Sequence, residues 1–156
     1  MTDEEAFKFA KENPSKSNKV IRYITKSDYA FKWALRFPSD KNKLIRRIKD
    51  SWDALRWVER FSEDKDKLIH RIKDSWVAFC WASRFPEDKN KLIHIVTDPK
   101  YAIYWVERFL EDYDKMIHLI KEEYHINQWL EIYPTDKEYF IKKGLLNAKR
   151  RSVRIC

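Results

Sequence analysis

The stretch Lys41 to Asp64, KNKLIRRIKDSWDALRWVERFSED, is followed directly by KDKLIHRIKDSWVAFCWASRFPED and then by KNKLIHIVTDPKYAIYWVERFLED. Together with two more divergent copies, the repeats occupy 17–40, 41–64, 65–88, 89–112 and 113–136. One column of the alignment contains Trp33, Trp57, Trp81, Trp105 and Trp129. A fixed period of this size indicates that one small supersecondary unit is copied and stacked. The chain therefore contains about five full repeats, with a half-unit at each end.

Each repeat carries two groups of apolar residues at helical spacing, with a break between them. The first group in the copy 41–64 is Leu44, Ile45 and Ile48. The second group is Ala54, Leu55, Trp57, Val58 and Phe61. The pattern predicts an all-α protein, a right-handed α-solenoid of helix-turn-helix repeats over 1–149, followed by a basic tail over 150–156. We expect the five tryptophans to lie in the core, and stacking platforms for nucleic-acid bases are the alternative.

Acidic residues precede both helices of the repeat, where a carboxylate can accept hydrogen bonds from unpaired backbone N–H groups. The column before the first helix is Asp40, Asp64, Asp88, Asp112 and Asp136. The column before the second helix is Asp50, Asp74 and Asp98. Both columns are predicted to be helix caps. Proline is expected just past the second helix at Pro14, Pro38, Pro86 and Pro134, and at the first helical position at Pro99.

Composition excludes several classes of protein. Gly144 is the single glycine, so the chain has neither a glycine-rich phosphate loop nor a dinucleotide-binding fingerprint. No apolar run approaches the roughly 18 residues that cross a bilayer, and the acidic start lacks the pattern of a secretory signal. We therefore expect a cytoplasmic protein that does not bind membranes. Cys80 and Cys156 are too few for a disulfide scaffold.

The basic residues are arranged in columns. Lys and Arg total 33 against 25 Asp and Glu, which gives a net charge of +8. One column on the first helix is Arg22, Arg46, His70, His94, His118 and Lys142. A second column, three residues upstream, is Lys19, Lys43, Lys67, Lys91 and Lys115. Positions three apart share a helix face, so stacked repeats should join the two columns into a basic ridge that binds a partner. A solvated face copied by duplication is the alternative.

Further candidate contacts lie outside the ridge. Trp52 and Trp76 stand at the start of the second helix, away from its apolar stripe, and a large exposed aromatic beside cations is typical of an interface anchor. Packing against a neighbouring loop is the alternative. A third basic column is Arg36, Arg60, Arg84 and Arg108, where a cation near a helix C-terminus is favourable in itself. The tail adds Lys149, Arg150, Arg151 and Arg154.

The sequence indicates neither a metal site nor a catalytic one. Equivalent histidines are about one repeat, near 10 Å, apart, whereas ligands of one zinc lie within about 2.1 Å of the metal. We therefore expect no metal and no other cofactor. Carboxylates occur as repeated caps and as helical partners of lysine, and no nucleophile elbow or His-Glu-x-x-His motif is present, so we predict no enzyme activity. Protonation of the four histidines would raise the charge from +8 to +12 and strengthen electrostatic binding below about pH 6.5.

The repeat unit D-K-x-K-L-I-x-x-I-K-D-S-W-x-A-x-x-W-x-x-R-F-x-x-D resembles the short helical-hairpin repeats of uncharacterised proteins from phages, giant viruses and some bacteria. Those repeats have an Ala-Leu-x-Tyr-Ala core and an Asp at each start. Here Trp replaces the usual Tyr, and the glycine expected between the helices is absent. The resemblance covers nearly the whole chain and implies stacked hairpins, but no biochemical role or functional residue carries over from it.

Two functions from different classes remain. The first is a non-catalytic interaction protein, of the kind used as a viral or bacterial effector or inhibitor, that binds an acidic surface of a partner protein through the ridge. The second is a nucleic-acid-binding protein that uses the same ridge without reading sequence, because B-DNA presents one charge per roughly 1.7 Å, far more densely than a ridge repeating near 10 Å. End-to-end association into homo-oligomers is also possible through Phe7, Phe9, Phe140 and Ile141, which an uncapped end would expose.

Overall fold

A computed structural model describes residues 1–147 and contains helices without strands over that range. The longer helices, one per repeat, are α1 (Asp3–Glu12), α3 (Ser27–Arg36), α5 (Ser51–Arg60), α7 (Ser75–Arg84), α9 (Pro99–Arg108) and α11 (Glu123–Ile132). The shorter helices are α2 (Ser17–Val20), α4 (Lys41–Leu44), α6 (Lys65–Leu68), α8 (Lys89–Leu92), α10 (Tyr113–Met116) and α12 (Lys137–Lys142). The expected all-α fold of tandem helix-turn-helix repeats is confirmed. The predicted basic residues of the tail, Lys149, Arg150, Arg151 and Arg154, lie outside the described residues, and so does Cys156.

The first segment of each repeat is more broken than a single short helix. In the copy that begins at residue 41, α4 follows a 3₁₀ turn (Pro38–Asp40) and runs into a second 3₁₀ turn (Ile45–Arg47). Ile48 then takes an extended conformation, with φ −73° and ψ 107°. Leu44 and Ile48 are both fully buried, so the expected apolar stripe is present although its last member lies outside the helix.

The chain forms two compact units, Met1–Trp81 and a second that begins at Ala82. In the first unit, α1 packs against α3 and α3 packs against α5. In the second unit, α9 packs against α11 in the same way. Short helices also pack on the long helix before them, α2 on α1, α4 on α3 and α6 on α5 in the first unit and α10 on α9 in the second. Within each unit, one repeat thus covers apolar side chains of the next. A single hairpin of about two dozen residues cannot bury its apolar face alone.

The core is built on the aromatic column. Trp33, Trp57, Trp81, Trp105 and Trp129 are all fully buried, as predicted. An aromatic residue stands four positions after each of these tryptophans, just past the end of the long helix. The ring centroids of Trp57 and Phe61, for example, are 5.2 Å apart. Truncation of a buried tryptophan costs roughly 3 to 5 kcal/mol, so this column supplies much of the stability of each repeat.

The acidic column before the first helix has a different role from the predicted cap. Asp40, Asp64, Asp88 and Asp112 are buried, and none of them caps a helix with its side chain. Instead the carboxylates of Asp40, Asp64 and Asp112 each accept a hydrogen bond from the indole Nε1 of the tryptophan seven residues earlier. The Nε1–Oδ2 distances are 3.2 Å for Trp33 and Asp40, 3.0 Å for Trp57 and Asp64, and 3.1 Å for Trp105 and Asp112. Burial of a carboxylate is tolerated only with such partners, so the column is a buried acceptor.

The predicted caps of the long helices are confirmed. The Asp50 side chain accepts from the backbone N–H groups of Trp52 and Asp53, at 2.9 and 3.2 Å. Asp74 accepts from the backbone N–H of Val77, and Asp98 accepts from that of Lys100, which follows Pro99 at the first helical position.

Side chains at the first position of the long helices connect consecutive repeats of the first unit. The hydroxyl of Ser27 donates to the carbonyl of Arg47 at 3.1 Å and accepts from the backbone N–H of Lys49 at 2.7 Å. Ser51 makes the same pair of bonds with Arg71 and Lys73. At the N-terminal half-unit Asp3 replaces serine and accepts from the backbone N–H groups of Thr25 and Lys26. These bonds satisfy backbone groups in the turn of the next repeat and thereby fix the spacing of adjacent repeats.

The C-terminal half-unit closes on itself. Phe140 is fully buried, so the expectation that it is exposed at an uncapped end is wrong. Gly144 has φ +69°, a conformation that favours glycine, and it turns the chain back over α12. The N–H groups of Leu145 and Leu146 both donate to the carbonyl of Phe140. Ile141 and, in the N-terminal half-unit, Phe7 and Phe9 are half-buried.

We predict that Trp57→Phe lowers the free energy of unfolding by about 1 to 3 kcal/mol, because Asp64 loses a hydrogen-bond donor inside the core while the ring remains apolar. Urea denaturation followed by circular dichroism measures the change. Trp52→Phe is the matched control, since Trp52 is 46% exposed, and it should stay within about 0.5 kcal/mol of the wild type. Equal effects of the two substitutions would show that the indole bond to Asp64 contributes nothing.

Candidate interaction surface

All members of the predicted basic ridge are exposed. In the first unit the ridge consists of Lys19, Arg22, Lys43, Arg46, Lys67 and His70. In the second unit it consists of Lys91, His94, Lys115, His118 and Lys142. Each set lies on the short first segments of consecutive repeats, because the helices and 3₁₀ turns that carry them recur at one period. The two columns of the ridge differ, however, in what their charges contact.

Four members of the lysine column are bound to the buried carboxylates, whereas Lys19 follows Lys16 instead of an aspartate and makes no such pair. The Lys43 ammonium lies 2.6 Å from Asp40 Oδ1, and the equivalent Nζ–Oδ1 distances are 2.7 Å for Lys67 and Asp64 and 2.8 Å for Lys115 and Asp112. Lys91 pairs with Asp88 at 2.9 Å. These lysine side chains remain 55 to 59% exposed while the carboxylates are buried. The lysines therefore satisfy buried acceptors, and each pair contributes no net charge to the surface.

A second set of lysines, which sequence reasoning did not identify, holds the same carboxylates from the preceding repeat. Lys41 donates to Asp64 at 3.0 Å and also to Glu63, and Lys89 donates to Asp112 and Glu111, both at 2.8 Å. The hydrogen bond to Glu63 is the main reason that the pKa of Lys41 is raised above its usual value. The signal in the sequence was the lysine that directly follows the acidic residue in three consecutive copies.

The last repeat replaces this lysine by Tyr113. Its hydroxyl donates a short hydrogen bond to Asp136, which also accepts from Trp129 Nε1 at 2.6 Å. Burial and the bond to Asp136 raise the pKa of Tyr113, so the phenol remains a neutral donor. Asp136 thus has two neutral donors, whereas Asp64 and Asp112 each accept from one indole and two lysines.

Asp112 is the most strongly stabilised carboxylate of the column. Its burial alone would raise its pKa, but hydrogen bonds from Lys115, Lys89 and Trp105 outweigh burial and lower the pKa to about 2. The pKa of Asp64 is lowered by the corresponding bonds from Lys67, Trp57 and Lys41, again against the effect of burial. The folded protein therefore prefers these two carboxylates ionised.

The Arg and His column contains most of the unpaired side chains of the ridge, and its histidines are charged only when protonated. Within residues 1–147, Arg46, His70, His94 and His118 make no hydrogen bond or ion pair. Arg22 contacts only its neighbour, with a bond from the guanidinium to the Tyr23 hydroxyl at 3.1 Å. Because no carboxylate neutralises them, these side chains can bind an anionic group of another molecule without first breaking an ion pair.

The two additional tryptophans are not equivalent. Trp52 is 46% exposed, whereas Trp76 is half-buried and its ring lies 5.6 Å from that of Phe79. Trp52 is therefore the better candidate for an interface anchor. The ring contact of Trp76 is with Phe79 of its own helix, so packing against a neighbouring loop stays a prediction.

In the second unit three ridge residues line one shallow cleft. His94, Lys115 and His118 surround a space of about 270 Å³ between two consecutive first segments. The apolar part of its lining is Ile93, Val96, Met116 and Leu119, with Thr97 at the edge. The structure thus brings together predicted site residues from two repeats and adds an apolar surface that sequence reasoning missed.

The described residues contain no group of three or more His, Cys, Asp or Glu side chains arranged to hold a metal ion. Over the same range, no helix combines the length and the apolar character that crossing a membrane requires. Compared with models of known families, with curated proteins and with solved structures, the chain matches none significantly. Its resemblance to short viral and bacterial hairpin repeats stays a prediction that rests on the repeat residues alone.

We predict that the two columns of the ridge respond differently to charge reversal. Lys43→Glu should lower the free energy of unfolding by about 1 to 3 kcal/mol, because it removes a partner of Asp40 and adds a like charge beside it. Arg46→Glu, three residues away on the same exposed face, should stay within about 0.5 kcal/mol of the wild type. Urea denaturation compares them. Equal stability of both variants would contradict the structural role given to the lysine column.

The lowered pKa of Asp112 predicts a specific pH dependence. Its folded pKa of about 2 lies below the ordinary value of 3.8, so its ionised form stabilises the protein above about pH 4 and this contribution disappears as the pH falls toward 2. The contribution is on the order of 2 kcal/mol. Asp112→Asn should therefore be clearly less stable than the wild type at pH 6, and the difference should shrink between pH 4 and pH 2. Asp114→Asn, at an exposed neighbouring position, should show no such convergence.

Proposed function

We propose that this chain is a non-catalytic helical-repeat protein that binds an acidic surface of a partner protein through the Arg and His column of its ridge. The observation that supports the proposal most directly is that Arg46, His70, His94 and His118 are exposed and have no partner in residues 1–147. They recur at the same position of successive repeats, so each unit presents a row of unpaired side chains, arginine in the first copies and from His70 onward histidine, which is cationic when protonated.

The pairing of the lysine column favours an acidic protein over a nucleic acid as the partner. With Lys43, Lys67 and Lys115 bound to buried carboxylates, the ridge presents about one unpaired basic side chain in each of these repeats. B-DNA carries one negative charge per roughly 1.7 Å, and tight binding requires many phosphates to be neutralised at once. A sparse row of cations suits the more widely spaced carboxylates of a folded protein.

The test compares two double charge reversals in the first unit. Arg22→Glu with Arg46→Glu changes the ridge, and Arg36→Glu with Arg60→Glu makes the same change in net charge at the exposed ends of α3 and α5. Each immobilised protein is incubated with a native lysate that has been treated with nuclease, and retained proteins are identified by mass spectrometry. We expect a protein that is retained by the wild type and the control and at least tenfold depleted on the ridge variant.

Two results would contradict the proposal. Equal retention on both variants would show that the ridge is not the binding surface. Retention of protein from an untreated lysate, together with none from the nuclease-treated lysate, would instead identify a nucleic acid as the ligand. In that case binding to a duplex oligonucleotide should weaken with salt, with a log-log slope near −5 if about six phosphates are neutralised.

A further inference from the structure

An arginine bridges consecutive first segments in the first unit. The Arg47 guanidinium donates from Nη1 to the carbonyl oxygen of Ile21 at 3.1 Å. That carbonyl also accepts from the backbone N–H of Ile24 within its own turn. Since Arg47 belongs to the repeat after Ile21, its side chain crosses the groove between the two segments and occupies it.

The same column continues with Arg71, which makes no corresponding bond within residues 1–147, and in the second unit carries Ile95 and Leu119, the latter three repeat lengths after Arg47. Leucine cannot donate a hydrogen bond, and the corresponding carbonyl, that of Ile93, accepts only from the backbone N–H of Val96 at 3.2 Å within residues 1–147. A carbonyl oxygen has two lone pairs, so Ile93 retains capacity for a second donor. The cleft of about 270 Å³ lies at this place, with half-buried Leu119 in its lining. With leucine at this position, no side chain bridges the groove as Arg47 does between the first segments that contain Ile21 and Arg47.

The lining of this cleft selects the kind of occupant. Its volume is below the roughly 300 to 1,000 Å³ of sites for small molecules, so it accommodates a side chain better than a cofactor. Ile93, Val96, Met116 and Leu119 offer an apolar surface, and His94, Lys115 and His118 line the same space with basic groups. The complementary ligand is an apolar side chain with carboxylates on both sides of it in the sequence.

We propose that this cleft, between the 3₁₀ turns Ile93–Ile95 and Ile117–Leu119, binds an acidic peptide segment of the partner through one central aliphatic side chain. The aliphatic group packs on Leu119 and Val96, the flanking carboxylates contact His94 and His118, and a backbone N–H of the segment donates to the Ile93 carbonyl. The inference rests on the proposed function for the class of partner, and it adds a defined site and a required apolar residue.

The test uses two blocked pentapeptides, Glu-Asp-Leu-Glu-Asp and Glu-Asp-Ser-Glu-Asp, titrated into the ¹⁵N-labelled full chain. We expect amide shifts concentrated at 93–97 and 115–119, with the leucine peptide binding at least about fivefold more tightly, since it buries an additional aliphatic side chain. His94→Gln with His118→Gln should weaken binding at least threefold. His70→Gln, an equally exposed member of the same column in the first unit, should leave it unchanged.

Leu119→Arg is the decisive variant, because it raises the net charge by one and at the same time restores the bridging residue. A cleft site predicts at least a tenfold loss of affinity for the leucine peptide, whereas a purely electrostatic surface predicts stronger binding. Leu119→Met, which keeps an apolar side chain of similar volume, should retain binding. The reciprocal Arg47→Leu should add new shifts at 21–25 and 43–47, which keeps the inference testable if Leu119→Arg does not fold.

Several outcomes would overturn the inference. Equal affinity for the serine peptide, tighter binding by Leu119→Arg, or shifts spread over every exposed cation would each do so. The proposed function fails separately, by equal capture on the two arginine variants of the first unit. Loss of capture on the Arg22 and Arg46 variant together with no peptide binding to the cleft would leave the proposed function standing and remove only the cleft.

Discussion

The buried carboxylate of the Asp column is the interaction on which each repeat depends. A carboxylate that is almost fully removed from water is unfavourable unless its lone pairs are filled. Asp112 accepts from the indole of Trp105 in the preceding long helix, from Lys115 in the following turn and from Lys89 of the previous repeat. One side chain therefore fixes the tryptophan ring in the core, the start of the short segment and the distance to the adjacent repeat.

This dependence explains which positions vary and how they vary. Tyr113 replaces the lysine of earlier copies and still donates to Asp136, and Asp3 replaces serine and still binds the turn of the next repeat. In both places the residue type changes while a hydrogen-bond partner is kept, because an unpaired buried group costs more than the loss of a surface contact. The column of Arg47 and Leu119 does not keep its partner in this way. Leu119 cannot donate the hydrogen bond that Arg47 makes, so the Ile93 carbonyl can accept a second donor and an apolar groove lies beside it.

The sequence was sufficient to predict the repeat, the long helices, their caps and the buried tryptophans, since all of these follow from apolar periodicity and local capping chemistry. It was not sufficient for the role of Asp40 and its equivalents. A carboxylate before a short helix has the same sequence signature whether it caps that helix or turns inward to an indole seven residues earlier. The burial of Phe140 was missed for a related reason, because it depends on the turn at Gly144 and not on the pattern of α12.

The candidate site was predicted in outline but not in its chemistry. Duplication alone copies a lysine column, so recurrence gave Lys43 and Arg46 equal weight, and only the contact with Asp40 distinguishes the structural cation from the available one. The cleft at Leu119 could not be predicted from the sequence either. Its residues come from two repeats, and Leu119 stands where Arg47 of the first unit bridges the groove. In a repeat protein the functional position is therefore better sought where a bond present in one repeat is absent from another than where a charge is repeated. By that criterion the first segments of the second unit, between Ile93 and Leu119, differ most from their counterparts in the first.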